Sequence, residues 1–165
     1  MDFKRIVKHL LMTRWQVSRA FPSHALREIE KSIKASESAH QGEIRFVVEG
    51  ALEGAILFEG QTARERAIDV FSQLRLWDTE HNNGVLIYLL LADRAVEIIA
   101  DRGIHSRAGA HEWAPICRKI EADFKRTNYE DGVVNGIDAV AHHLKKHFPA
   151  SGEKKNALPN VPVVM

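Results

Sequence analysis

Residues 78–84, DTEHNNG, and the dipeptide Asp101-Arg102 hold most of the side chains that could act together in chemistry. Asp78, Glu80, Asn82 and Asn83 precede an apolar run at 85–91, and Asp93 and Asp101 bracket a second run at 95–100. Oxygen donors of this kind suit calcium or magnesium. If the two runs form a hairpin, residues 78–83 and Asp101 fall at one end of it and Asp93 at the other. The candidate metal cluster is therefore Asp78, Glu80, Asn82, Asn83 and Asp101, without Asp93. His81 and His105 flank the same end. There a histidine can move protons while Asp101 or Asp78 serves as nucleophile or metal ligand in phosphoryl hydrolysis, with Arg102 contacting the phosphate. The competing reading is helix capping, turn formation and solvated surface charge. No EF-hand spacing is present.

Other constellations are thinner. His143 and His147 are four apart and can share a helix face, but no third zinc ligand accompanies them. His111-Glu112 begins like a zinc-protease motif, and Pro115 occupies the place of the second histidine. There is no Walker loop, G-x-S-x-G elbow or C-x-x-C pair. Cys117 is either a thiol activated near a helix N-terminus or a small buried filler. Arg45, Arg94, Arg102 and Arg107 would bind a phosphate if they converge. Trp15, Trp77 and Trp113 read as core or interface anchors.

The elements that must position these groups follow from periodicity. Residues 2–20 read as a basic amphipathic helix in which Ile6, Leu10 and Leu11 share a face. Ser23 caps a second helix over 24–38, with Leu26, Ile29 and Ile33 repeating. Residues 43–49 alternate as a strand. Residues 50–60 read as a loop or short edge strand. Thr62 and Glu65 form a capping box that opens a helix to about residue 76. The run at 85–91 is apolar except for Tyr88, as a strand buried on both faces would be. Asp93-Arg94 turns the chain into an antiparallel strand at 95–100. A loop leads to a helix from about Ala114, and a second capping box at 127–130 opens the last helix, which Pro149 stops. Residues 150–165 read as a mobile tail. The pattern is α/β: a small mixed sheet covered by helices on both faces, its parallel pair joined by a right-handed crossover through the helix at 62–76. The boundaries are an accessory helix at 1–22, a core domain at 23–149 and the tail.

The totals narrow the class. Among 165 residues, 23 Lys and Arg nearly balance 22 Asp and Glu, which argues against nucleic acid. A single cysteine precludes an intrachain disulfide and suits a reducing compartment. The start lacks the form of a signal peptide, and no run is long enough to span a bilayer. A cytoplasmic location is the expectation.

At this stage the chain resembles the TPM domain family, named for a thylakoid lumen protein, a photosystem-associated protein and a modulator of an ion channel. The ordered pieces are Asn83-Gly84 with 85–91, then Asp93-Arg94, Val96-Glu97-Ile98-Ile99 and Asp101-Arg102-Gly103-Ile104, then Phe124-Lys125, Tyr129 and Gly132. With the helix leading into 43–49 they cover about residues 24–148. The resemblance implies a three-layer α/β sandwich, Rossmann-like in shape but without the glycine fingerprint. Some members resemble weak acid phosphatases, and some bind calcium in loops at one end of the sheet. Many carry a signal peptide and a transmembrane helix, which this chain does not show. The resemblance also implies a partner among LemA-type or TPM-type membrane proteins. The sequence departs from the family's glycine-rich segment after the second hairpin strand, reading Ala-Asp-Arg-Gly-Ile-His.

Residues and resemblance together suggest a binding or interaction module that takes a divalent cation, calcium before magnesium, at the 78–83/Asp101 end. The alternatives are a weak metal-assisted phosphatase at that site, and a ligand-free scaffold docked to a membrane-associated protein, or to a membrane surface, through residues 2–20. Glu43, Glu49 and Glu97 are further carboxylates on strands whose order decides whether they join the site.

Overall fold

The computed structural model describes residues 2–154 and 156–165. Its frame is a four-stranded mixed sheet in the order β3-β2-β1-β4. β1 (Glu43–Glu49) pairs in parallel with β2 (Gly84–Leu90), from Glu43 opposite Gly84 to Glu49 opposite Leu90. β2 pairs antiparallel with β3 (Ala95–Ala100) across the 91–94 turn, where Arg94 N–H donates to Leu91 O at 3.0 Å. Parallel strands need a long connection. Here it contains α4 (Gly54–Phe58) and α5 (Ala63–Gln73).

Strand alternation sorts the core into two layers. Ile44, Phe46, Val48, Val85, Ile87 and Leu89 face α3 (Ser23–Ser36), α7 (Trp113–Lys125) and α8 (Tyr129–His147). Val47, Leu86, Tyr88 and Leu90 face α4 and α5. Both faces of β1 and β2 are buried, as the nearly unbroken apolar composition of β2 requires. The architecture is the expected α/β sandwich. At the start of α5 the Thr62–Glu65 capping box forms, with Thr62 N–H donating to Glu65 at 2.8 Å and Glu65 N–H to Thr62 Oγ1 at 3.2 Å.

Several local expectations are corrected. Residues 2–20 form two helices, α1 (Phe3–Leu11) and α2 (Arg14–Ala20), because Thr13 starts the second with its own capping box to Gln16. Ile6 is buried, while Leu10 and Leu11, one turn further on, are exposed. Pro22, not Ser23, occupies the N-cap of α3. Residues 54–58 are helical rather than loop or strand. The segment after β3 forms α6 (Arg102–Ala108) and a 3₁₀ turn at Ala110–Glu112. The second capping box does not form, since Thr127 adopts φ +60° and Asn128 holds the cap without a side-chain hydrogen bond. Trp113 is buried, but Trp15 and Trp77 are exposed.

The tail reading is corrected as well. β4 (Val163–Val164) adds to the free edge of β1, and the strap before it satisfies polar groups on that strand. Arg45 donates to the carbonyls of Pro159 and Val161, Ala157 N–H donates to Glu43 Oε1 at 3.2 Å, and Lys154 Nζ donates to Gly42 O at 2.6 Å. A covered edge is protected against pairing with another chain. Among the described residues no helix is long and apolar enough to cross a membrane.

Candidate functional site

The sheet has two chemically distinct ends. At the amino ends of β1 and β2 lie residues 78–83 and, across the hairpin, Asp101; Asp93 lies at the opposite end, as the β2–β3 register requires. The fold therefore brings Asp78, Glu80, Asn82, Asn83 and Asp101 to one end. Two of these side chains have partners there. Asp78 is exposed and pairs with Arg75 at 3.3 Å. Asp101 caps α6, accepting from Arg102 N–H at 2.8 Å. Asn82 sits at φ +50° and its carbonyl accepts from Ile104 N–H at 3.2 Å. Gly103 passes directly beneath, where an added Cβ would come within 2.3 Å of His81 O and 2.5 Å of Asn82 O. His81 stacks against Phe148, and Arg107 covers the same ring at 4.3 Å. Glu80, Arg102 and half-exposed His105 flank this packing. Two atoms are buried without a partner, Asn83 Nδ2 and Asp101 Oδ2. Among the described residues no three His, Cys, Asp or Glu side chains are grouped to hold a metal ion.

The remaining candidates disperse. Arg94 lies at the far end from Arg102, Arg45 is committed to the strap, and Arg107 donates to His147 O at 2.9 Å. Glu43 is buried beside Lys154 at 3.6 Å; burial pushes its carboxyl up against the pull of that lysine. Glu97 meets Arg64 at 3.3 Å. His143 lies 3.6 Å from Glu112, and burial pushes its imidazole down. Cys117 is not activated: burial first, then the nearby Glu97 carboxylate, pushes its thiol up to about 12.

The carboxyl ends of β1 and β2 hold the better-formed chemistry. Glu49 accepts both Nε and Nη2 of Arg66 at 2.9 Å and the Tyr88 hydroxyl at 2.6 Å. Burial, then the Glu49 hydrogen bond, pushes the Tyr88 phenol up. Beside it, Asp93 accepts Arg5 Nε at 3.0 and 3.1 Å and Nη2 at 2.9 Å, and contacts His9 Nε2 at 2.9 Å. Leu52 N–H donates to His9 Nδ1 at 2.9 Å, which leaves the ring's other nitrogen to donate to Asp93. These contacts seat α1 on the hairpin turn.

Next to that turn opens a cleft of about 810 Å³ between α2–α3 and the start of α8, with Trp15, Arg19, His24, Arg94, Glu130 and Asp131 among its walls. Arg94 is held there at φ +52° by the turn. His24 lies 3.9 Å from Glu130. The first turn of α8 has no side-chain cap, so its N–H groups stay unclaimed on that wall. Sequence reasoning missed this site. It treated 127–130 as a capping box, read Asp93-Arg94 as a turn and named Arg94 only among four arginines that would bind a phosphate if they converge, although ligands of open α/β sheets gather at strand carboxyl ends.

Residues 19–143 match the model of the TPM domain family, which leaves α1 and most of α2 outside the match. The BA42 protein of the psychrophilic bacterium Bizionia argentinensis is similar in structure, with a TM-score of 0.74 and 30% identity over 87% of this chain and 94% of that one. The N-terminal domain of a P. gingivalis protein superposes with a TM-score of 0.60 at 21% identity, over 79% and 82% of the two chains, a likeness of fold alone. No curated protein matches this chain.

Proposed function

The chain belongs to the TPM domain family, and on that premise we propose that it is a binding module taking a phosphoryl-bearing ligand together with a divalent cation in the cleft beside the β2–β3 turn. One observation carries the reading: two guanidinium groups, Arg19 and Arg94, share that cleft with two carboxylates, Glu130 and Asp131. Guanidinium groups and an uncapped helix N-terminus suit phosphate oxygens. Two carboxylates are too few for an all-protein cage. They are the usual complement for a cation that completes its shell with phosphate oxygens and water.

A weak phosphatase is the second reading, favoured by His24 facing Glu130 at the cleft wall, a pair able to move a proton beside a bound phosphate. The test is an amide-shift titration with magnesium alone, calcium alone, inorganic phosphate alone, and each cation with phosphate. The reading expects localised shifts at Arg19, Arg94 and 128–131 that strengthen when cation and phosphate are combined. Shifts confined to 78–84 and 101–105 would move the site to the amino end. No localised shift up to millimolar concentrations would end the proposal.

A further inference from the structure

We propose that α1 and the start of α2 form a docking face for an anionic lipid surface, beside the cleft whose wall Trp15 and Arg19 share. Phe3, Leu10 and Leu11 are 77%, 67% and 68% exposed, and Trp15 on the next helix is 65% exposed. A helix at a protein surface normally turns its apolar stripe inward. Here α1 is held the other way. Arg5 and His9 are clamped to Asp93, and Ile6 is buried beside them, so the rotation of the helix is set by a polar lock and the stripe faces out.

Charge identifies the occupant. Residues 3–22 contain five basic and no acidic side chains, so in a chain of net charge +1 this segment carries +5 and the rest carries −4. Lys4, Lys8 and Arg14 are exposed around the apolar side chains. An anionic bilayer answers both features: leucine, phenylalanine and tryptophan enter the headgroup boundary while lysine and arginine meet lipid phosphates. A second copy would answer only the first, because a twofold contact sets the same basic patch against itself.

The experiment is flotation of the full chain with vesicles of phosphatidylcholine alone and of equimolar phosphatidylcholine and phosphatidylglycerol, at low and high salt. Binding is expected only to the mixed vesicles, and weaker at high salt. The pair Lys4→Glu/Lys8→Glu should lose about 30-fold or more in affinity, from about 1 kcal/mol per lysine near such a surface. Leu10→Ser/Leu11→Ser should lose at least about tenfold, from the lost apolar burial. Both pairs should keep the wild-type thermal midpoint, since the altered side chains are exposed. Equal binding to neutral vesicles, or unchanged binding by either pair, would overturn the proposal. So would a dimer that Leu10→Ser/Leu11→Ser dissolves without any vesicle binding, which would assign the face to a second copy. None of these substitutions touches the cleft, so the phosphate titration stands or falls on its own.

Discussion

Asp93→Asn tests the lock that seats the N-terminal helix. The carboxylate accepts three contacts from Arg5 and one from His9, all between 2.9 and 3.1 Å. Removing one partner of a fully buried ion pair costs about 3–5 kcal/mol. The Arg5 and Asp93 side chains keep 21% and 17% exposure, so water screens the pair and the cost falls to about 2–3 kcal/mol. For a chain of this size that is a drop of roughly 5–10 °C in thermal midpoint. A double-mutant cycle with Arg5→Gln, read by urea denaturation, should give a coupling energy of about 1–2 kcal/mol. The pH dependence has a definite sign. Burial works to raise the Asp93 carboxyl, but hydrogen bonds from Arg5 and His9 outweigh it and hold the group below its usual range. The folded state therefore binds this proton less readily than the unfolded state. The stabilisation is complete above the unfolded value of about 3.9 and fades as pH falls below it. A cost below about 0.5 kcal/mol for Asp93→Asn, an additive cycle, or parallel wild-type and variant profiles below pH ~4 would refute the lock.

Two further predictions use other buried groups. His40 is fully buried; burial first, then the charge of Lys154, pushes its imidazole down to about 4. The unfolded state takes up this proton near pH 6.5, so stability should fall by up to about 3 kcal/mol as pH drops from 6.5 towards 4. His40→Gln should flatten denaturation midpoints in that window, and an unflattened profile would refute the assignment. With its thiol pushed up to about 12, Cys117 should react with an aromatic disulfide reagent at pH ~8 roughly a thousandfold more slowly in the folded chain than in urea. Fast labelling of the folded chain would contradict that.

The layers were legible where one period dominated. The alternation of 43–49 and the apolar run of 85–91 marked the two central strands, and the turn at Asp93-Arg94 followed from the hairpin. The family was legible because its motifs occur in order along the chain. Positions decided by distant partners were not legible. The orientation of α1 depends on a contact 88 residues away, and β4 on a strap whose composition suggests disorder. Likewise the Arg75 pair of Asp78 and the helix cap made by Asp101 could not be read from the spacing of the acidic loop. The cleft residues come from three separate segments, and no local spacing joins Arg19 to Arg94 or to Glu130.

The clamp on Asp93 also sets an order of events during synthesis. α1 is synthesised before its anchor, which follows 88 residues later. At about 5–20 residues per second that interval lasts roughly 4–18 s. A short, strongly basic helix with an outward apolar stripe spends that time unanchored, before the hairpin exists to receive it. Its seating is thus a late, long-range step, and in hydrogen exchange α1 should open as its own unit, well below the free energy that unfolds the sheet.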